Sequence, residues 1–428
     1  MLKKLDSKLT PFGGLLLIHK KLQSKKLSRF IDSKLGNRVK TIGYNYSDII
    51  TTRIYTSFCG GSATEDVNYI RENTLTHLKN FAVPSADTIL RGDMELSTPC
   101  DYITTASGTE NKINVNTRMN QLLIGCAKHF DIFQTTSEVQ DLIYDFDHQF
   151  IATEKYDATY SYKKEKGYFP GVVTIQGVPV YIEGRTGNCN VKTEQLATHQ
   201  RAIEALASQG IYPNRARMDA GSYIKEVVDF LHSKNILFTI RANQSEALLE
   251  SASRNKDWNK CTIGIQDMEV TSLAYLFGDA AHRIVAYRVP NKTKQINTIT
   301  KEALKYMFII TNDWEMSEKQ VIECYNARGA SEKIFDIQNN DFNWNCMPHS
   351  FLEENTVYLI IMAMAHIIYK WLLNIFSKLV DGLTNSSRLK KFIFRFVPVV
   401  ARVTRSGRRE IIAIATDNKN LIKAINTS

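Results

Sequence analysis

Paired cysteines and paired histidines are missing from this sequence. Its seven cysteines are scattered, odd in number and never form a Cys-x-x-Cys pair, and no two of its nine histidines lie four residues apart. Disulfide frameworks and zinc sites need such pairs, so the pattern favours reduced cytosolic thiols and argues against a zinc enzyme. The lysine-rich first 26 residues hold only a short apolar stretch at 12–18, so we expect no signal peptide. Internal repeats and low-complexity linkers are also lacking.

Acidic residues are fewer than basic ones. The chain of 428 residues has 54 Lys and Arg against 44 Asp and Glu, which gives a net charge of +10 and a pI near 9.1. The first 40 residues are rich in Lys and Arg, and the segment 388–409 holds eight basic residues and no acidic one. A solvated surface explains one such patch equally well, but two patches that flank an acidic site favour a polyanionic partner such as DNA.

Only one apolar run approaches the length that spans a membrane. It covers 357–376, but His366 and Lys370 interrupt it. We therefore expect a buried core helix and no membrane partner. The length of the chain allows two or three domains.

Aspartates occur in strand-like segments of the middle region. In 141–151, Tyr144, Phe146 and His148 alternate with Asp145, Asp147 and Gln149, which predicts a strand with one acidic face. Two further strands, 168–177 and 178–184, follow with a tight turn at Gln176-Gly177. A helix over 193–209, a strand ending at Asp219, a helix over 223–233 and a strand over 236–243 complete a β-β-β-α-β-α-β order. This order predicts a mixed sheet covered by helices.

A later segment carries Tyr325, Arg328 and Glu332. From Met316 onward the residues suit one helix, on which these three side chains would share a face. A solvated Arg–Glu pair at i, i+4 is the ordinary explanation of such spacing. However, carboxylates from two strands and a helix that converge would suit a hard divalent cation.

These residues together resemble the DDE transposases of bacterial insertion sequences, in the subgroup with a Tyr-x-x-Arg-x-x-x-Glu signature. The resemblance spans most of the chain and includes the segments 10–22, 84–91, 167–171, 185–188 and 218–220. It implies an α/β fold, with a ribonuclease H-like mixed sheet flanked by helices, a helical N-terminal domain and a β-rich insertion.

The resemblance also implies the site. Asp147, Asp219 and Glu332 would be the catalytic carboxylates and the metal ligands, while Tyr325 and Arg328 would contact the DNA backbone. The cofactor would be Mg²⁺, as a pair of ions, and Mn²⁺ could substitute. From the residues alone Asp145 stays open as the first carboxylate. Many relatives have a lysine seven residues after the glutamate, where this chain has Asn339.

Further residues are expected to bind DNA. Trp258 would stack on a base, or would belong to the core of the insertion. Arg91 follows a helix start at Ser85 that resembles the entry to a recognition helix, although a simple helix start is the more ordinary explanation. The basic residues of a C-terminal hairpin, Arg405, Arg408 and Arg409, would contact phosphates.

The predicted domains are a helical DNA-binding domain at 1–135, a catalytic domain at 136–384 with an insertion at about 244–300, and a basic β-hairpin tail at 385–428. The predicted function is metal-dependent DNA cleavage and strand transfer at the ends of an insertion sequence. The partners would be double-stranded DNA, as terminal inverted repeats and target, and a second copy on paired ends. The expected location is the bacterial cytoplasm, at the nucleoid. The alternatives are a catalytically inactive transposase-derived DNA-binding protein and a ribonuclease H-like nuclease.

Overall fold

The computed structural model describes residues 9–38, 43–77, 81–105, 108–133, 141–293, 295–406, 409–417 and 419. Its helices are α1 (Gly13–Ser24), α2 (Leu27–Leu35), α3 (Tyr46–Phe58), α4 (Asp66–Asn73), α5 (Ala86–Leu96), α6 (Thr117–His129), α7 (Gln195–Ser208), α8 (Lys225–Ser233), α9 (Glu246–Arg254), α10 (Glu318–Asn326), α11 (Ala330–Asp341), α12 (Leu352–Phe376) and α13 (Leu389–Phe396).

The strands are β1 (Leu9–Thr10), β2 (Asp101–Thr104), β3 (Glu110–Asn114), β4 (Ile143–His148), β5 (Ile151–Ala152), β6 (Thr159–Tyr160), β7 (Lys166–Tyr168), β8 (Gly171–Ile175), β9 (Val178–Arg185), β10 (Arg215–Met218), β11 (Leu237–Ala242), β12 (Asn259–Ile263), β13 (Gln266–Phe277), β14 (Ala280–Pro290), β15 (Leu304–Thr311), β16 (Ala401–Ser406) and β17 (Arg409–Ile414).

A mixed sheet lies at the centre of the described residues. Its eleven strands follow the order β12-β13-β14-β15-β11-β10-β4-β8-β9-β3-β2. On one side of β4, the strands β8 and β9 run antiparallel in succession, and on the other side β10 and β11 run parallel to it. Gln176 and Gly177 both have positive φ, as the predicted tight turn between β8 and β9 requires. The predicted mixed sheet flanked by helices is therefore confirmed.

Helix α12 is the buried core helix of the molecule. It packs against β9 and α6, and 78% of its most apolar 18-residue segment is buried. Among the described residues it is the single helix that is long and apolar enough to cross a membrane. Its two polar interruptions have partners, because His366 hydrogen-bonds Gln338 at 2.7 Å and Lys370 donates to the Gln176 carbonyl at 3.0 Å. The prediction of a core helix is confirmed.

The beginning and the end of the described chain meet. β1 pairs with β16, and the Gly13 amide donates to the Val399 carbonyl at 2.6 Å. A Cβ atom on Gly14 would lie 2.2 Å from the Phe396 carbonyl oxygen, so only glycine allows this close approach. The described start of the chain, from Leu9, therefore lies beside the strand β16 of the C-terminal hairpin.

A small sheet, which the sequence did not predict, follows the end of β4. Its three strands have the order β5-β7-β6 and lie in the chain between β4 and β8 of the central sheet. It begins three residues after His148, at the strand end that bears Asp147. The insertion strands β12 to β14, in contrast, extend the central sheet through β15.

Candidate active site

Asp147 lies near the carboxyl end of β4, which pairs in parallel with β10 on one side and antiparallel with β8 on the other. Tyr144 and Phe146 are buried on one face of this strand, so alternation directs Asp145 and Asp147 to the other face. Burial raises the pKa of Asp147, the Arg328 guanidinium opposes this shift, and the nearby Asp219 carboxylate adds to it. A raised pKa in a carboxylate beside a second carboxylate indicates a site that favours added positive charge.

Asp219 follows β10 directly and begins a short 3₁₀ turn. Its carboxylate Oδ1 accepts a hydrogen bond of 3.0 Å from the Gly221 amide, which fixes the direction of the side chain. β10 is parallel to β4, with Met218 opposite Phe146, so Asp219 and Asp147 emerge side by side from one edge of the sheet. The two aspartates are thus brought together as the sequence predicted, through the register of two parallel strands.

Arg328 lies against this pair. Its Nη1 donates a hydrogen bond of 2.6 Å to Asp147 Oδ2, and the side chains of both residues are largely buried. Its charge also interacts with Asp219 and with the Tyr325 hydroxyl, and burial raises the pKa of Tyr325 while Arg328 partly offsets the shift. A guanidinium and a phenol beside two carboxylates form a place where a phosphate group could be held near a cation.

The predicted continuous helix through Tyr325, Arg328 and Glu332 is wrong. α10 ends at Asn326, the residues Ala327–Gly329 form a 3₁₀ turn, and α11 begins at Ala330. Gly329, at the start of α11, is a poor helix former and costs about 1 kcal/mol relative to alanine inside a helix. The chain stays right-handed helical through Ala327 and Gly329, but the 3₁₀ turn changes the α-helical spacing between Arg328 and Glu332.

Glu332 lies in the first turn of α11 and is exposed. Across the described residues there is no group of three His, Cys, Asp or Glu side chains that could hold a metal ion. Glu332 stays a predicted third carboxylate that this arrangement does not bring to the two aspartates.

Asp145, the alternative first carboxylate, is engaged elsewhere. Both of its oxygens accept hydrogen bonds from Arg217, at 2.7 and 2.6 Å, and both side chains are nearly buried. Arg217 also donates to the Cys324 carbonyl at 3.2 Å, which ties β10 to α10. Burial raises the pKa of Asp145 and the Arg217 guanidinium partly offsets the shift. This geometry favours a structural role for Asp145 and leaves Asp147 as the preferred ligand.

Arg217 was missed by the sequence analysis. Arg217 stands two residues before Asp219, just as Asp145 stands two residues before Asp147. Arg217 and Asp145 are direct neighbours in the parallel register of β10 and β4. Matching the two strands residue by residue would have revealed the pair, because parallel strands in register place equivalent positions side by side.

The donor set tests whether a hard divalent cation fits. Asp147 and Asp219 offer oxygen ligands, which Mg²⁺ prefers, and the Arg328 guanidinium already lies where Asp147 would receive a cation. Two of the three expected ligands therefore fit. The third, Glu332, does not reach the pair in this arrangement.

Trp258 lies in the insertion, just before β12. Its indole nitrogen donates to the Asn255 carbonyl at 3.0 Å, and the Arg288 guanidinium covers the ring at 4.2 Å. Tyr306 packs edge-on against it. These contacts are those of a core residue, and base stacking by Trp258 stays a prediction.

The remaining predicted DNA contacts are four arginines. Arg91 is exposed on α5, a helix that Ser85 caps by accepting a hydrogen bond from the Thr88 amide, as predicted. Arg405 and Arg409 fall in the hairpin strands β16 and β17. Arg408 lies outside the described residues. DNA binding by all four arginines stays a prediction.

Comparisons with known proteins identify the family of the chain. The family model described as "Transposase DDE domain group 1" matches residues 6–423. Among solved structures, the chain is similar to a piggyBac transposase in a synaptic complex with hairpin DNA, determined by cryo-EM. The sequence identity is 11% and the TM-score is 0.40, and the match covers 89% of this chain and 78% of that chain. No curated protein sequence matches the chain.

Proposed function

Because the chain belongs to the family of transposase DDE domains of group 1, we propose that it is the transposase of a bacterial insertion sequence, from the Tyr-x-x-Arg-x-x-x-Glu subgroup. The reaction would cleave DNA at the ends of the element and join the freed 3′-OH to target DNA. The observation that carries this proposal is the pair Asp147 and Asp219 at one sheet edge, with Arg328 against it.

The two aspartates would hold Mg²⁺ through hard oxygen ligands, with Glu332 as the third ligand. When bound, such ions activate water and stabilise the charge of the attacking and leaving oxygens in phosphoryl transfer. Asp145 is kept out of the site by its two bonds to Arg217, so the strand offers one carboxylate rather than two.

Arg328 would move from Asp147 to the scissile phosphate. Its guanidinium is held at 2.6 Å from Asp147 Oδ2, and a planar fork binds two phosphate oxygens as readily as it binds a carboxylate. The phenol of Tyr325 lies on the same side and could donate to a neighbouring phosphate. These residues position the DNA backbone, which is the protein's main contribution to phosphoryl transfer.

Glu332 would join the aspartates by a movement of α11. The 3₁₀ turn Ala327–Gly329 separates α11 from α10, whose residues Val321 and Ile322 are buried in the core. A 3₁₀ turn between two helices is a suitable hinge, and because Phe335 and Gln338 hold α11 in the core, the movement would be confined to its first turn, which carries Glu332. The released Arg328, two residues before the start of α11, would change position in the same movement.

A second function, that of a DNA-binding protein without catalysis, is favoured by the exposed position of Glu332. Both proposals share double-stranded DNA as partner, and both would place the protein at the bacterial nucleoid. The first requires in addition a second copy on the paired ends of the element.

An assay of strand cleavage on the element's own end DNA distinguishes the transposase from the non-catalytic DNA-binding protein. With Mg²⁺ present, the wild-type protein should nick the end and release a 3′-OH, while Asp219→Asn should bind the same DNA without cutting it. Asp141→Asn is the matched control, because Asp141 lies before β4 at the opposite sheet edge and pairs with Arg215. Binding without any nicking by the wild-type protein would favour the non-catalytic function.

A further inference from the structure

The small sheet after β4 exposes a group of tyrosines. Tyr156, Tyr160 and Tyr162 are 80%, 69% and 79% exposed, although large aromatic side chains are usually buried. Lysines surround them, at 155, 163, 164 and 166, and Lys163 lies 5.8 Å from the ring centre of Tyr162. We call residues 155–166 the tyrosine tip.

The tyrosine tip is held in a fixed shape. The Ser161 amide donates to the Glu165 carbonyl at 2.8 Å, and the Lys164 amide donates to the Ser161 carbonyl at 2.9 Å. Beneath the tip, Asp157 accepts hydrogen bonds from the Tyr168 hydroxyl and from the amide that begins α12, at Leu352. The exposed rings are therefore presented by an ordered hairpin, so little conformational freedom is lost when they bind.

The charge of the tip favours an anionic partner. Asp157 is turned inwards and also pairs with Lys112, while Glu154 pairs with Lys166 at 3.8 Å. Lys163 and Lys164 are exposed at the turn, as is Glu165, so the tip as a whole carries four lysines against two carboxylates. Lysines interleaved with exposed aromatic rings are the combination that binds phosphates and unpaired bases together.

The tip follows, in the chain, the strand end that bears Asp147. Ile151 lies four positions after Asp147 and pairs with Tyr168. Lys166, on the same strand as Tyr168, pairs with Tyr160. Chain length and strand spacing place Tyr160 within roughly 30 Å of Asp147. That distance corresponds to about nine base pairs of duplex DNA, so a bound strand could reach both.

We propose that the tyrosine tip binds single-stranded nucleotides beside the cleaved phosphate, with Tyr160 and Tyr162 stacking on unpaired bases and Lys163 and Lys164 contacting phosphates. Unpaired bases are the fitting partner because the bases of an intact duplex already stack on one another. The inference rests on the proposed function for its place beside cleaved DNA. Binding by the tip itself requires no metal and no reaction.

The test measures DNA binding in EDTA, with a blunt duplex and with the same duplex carrying an oligothymidine extension. The double variant Tyr160→Ala, Tyr162→Ala should weaken binding to the extended duplex by roughly tenfold or more, since about 1.4 kcal/mol is tenfold in Kd. The binding of this Ala variant to the blunt duplex should change by less than about twofold. The double variant Tyr160→Phe, Tyr162→Phe should bind both probes within about twofold of wild type, because phenylalanine keeps the ring.

Tyr212→Ala is the matched control. Tyr212 is 69% exposed, like Tyr160, but precedes β10 and so lies at the sheet edge opposite Asp219. The inference is overturned if the tip variant weakens binding no more than this control, if both probes weaken equally, or if the weaker binding accompanies conversion of a dimer to a monomer on size exclusion. Wild-type protein that binds neither probe would refute the proposed function as well; wild-type binding that the tip variant retains would refute the inference alone.

Discussion

Two aspartates on one strand face should behave in opposite ways when each is neutralised. Asp145→Asn and Asp147→Asn each preserve the size of the side chain and remove one negative charge. The two positions lie only two residues apart in the chain. Asp145 accepts two hydrogen bonds from Arg217, with 12% and 11% of the two side chains exposed, whereas Asp147 faces Asp219 and Arg328. The structure therefore predicts a stability defect for the first variant and a catalytic defect for the second.

The stability change can be estimated from the Arg217 pair. Neutralising Asp145 leaves a nearly buried guanidinium without its counter-charge, which costs about 3 kcal/mol. The unfolding entropy of a chain of 428 residues is about 0.9 kcal/mol per kelvin, so the Tm should fall by roughly 3 °C. For Asp147→Asn, removing the Arg328 bond and relieving the repulsion from Asp219 oppose each other, so we expect a Tm within about 1 °C of wild type.

The assays are a thermal melt and cleavage of end DNA with Mg²⁺ on the same samples. Below its Tm, Asp145→Asn should keep cleavage within about tenfold of wild type, while Asp147→Asn should cleave about 10³-fold more slowly or not at all, because it lacks a metal ligand. Asp141→Asn should change neither quantity appreciably. A melting curve for Asp145→Asn that equals wild type, together with abolished cleavage, would refute the assignment of Asp147 as the ligand.

Three further outcomes follow from the described contacts. Arg328→Ala should lower the cleavage rate by roughly 10²-fold with a change in stability of about 1 kcal/mol, and Arg328→Lys should restore little, because an ammonium lacks the planar fork; a rate that falls only in step with unfolding would contradict this. Burial lowers the pKa of five described histidines, so the unfolded chain takes up protons below about pH 6.5 that the folded protein does not, and each group should make stability in urea melts fall by about 1.4 kcal/mol per pH unit below about pH 6. His366→Asn should reduce the slope by about 1.4 kcal/mol per pH unit, and an unchanged slope would contradict the argument; the groups are His19, with a pKa of about 4, His199 and His366, with a pKa of about 3, and His148 and His282. Replacing the three arginines at 405, 408 and 409 by glutamine should lower the salt dependence of DNA binding by about 0.9 for each phosphate that is no longer neutralised, equally for all sequences, and an unaltered slope would exclude phosphate binding there.

The parts of the fold that could be predicted from sequence depend on local periodicity. Alternation in β4, the turn at Gln176-Gly177 and the apolar run of α12 each produce a pattern within a few residues. The meeting of Asp147 and Asp219 was also predictable, because two parallel strands end at the same edge of a sheet.

The parts that were missed depend on interactions between distant segments or on single residues. The helix break at Ala327–Gly329 interrupts a segment whose spacing alone suits one helix. The Asp145–Arg217 pair joins residues 72 positions apart, and only the strand register reveals it. The small sheet β5-β7-β6 has strands of two or three residues, too short for alternation to be recognised.

The proposed role of Asp219 as a metal ligand can be tested most directly by changing the preferred metal. Asp219→Cys offers a soft thiolate in place of a hard carboxylate, and such a ligand accepts Mn²⁺ far better than Mg²⁺. We predict that this variant binds end DNA as wild type does, fails to cleave it with Mg²⁺ and regains cleavage with Mn²⁺, while Asp219→Ala is inactive with both ions. Cleavage by Asp219→Cys with Mg²⁺ at the wild-type rate, or cleavage by the wild-type protein in EDTA, would contradict the account.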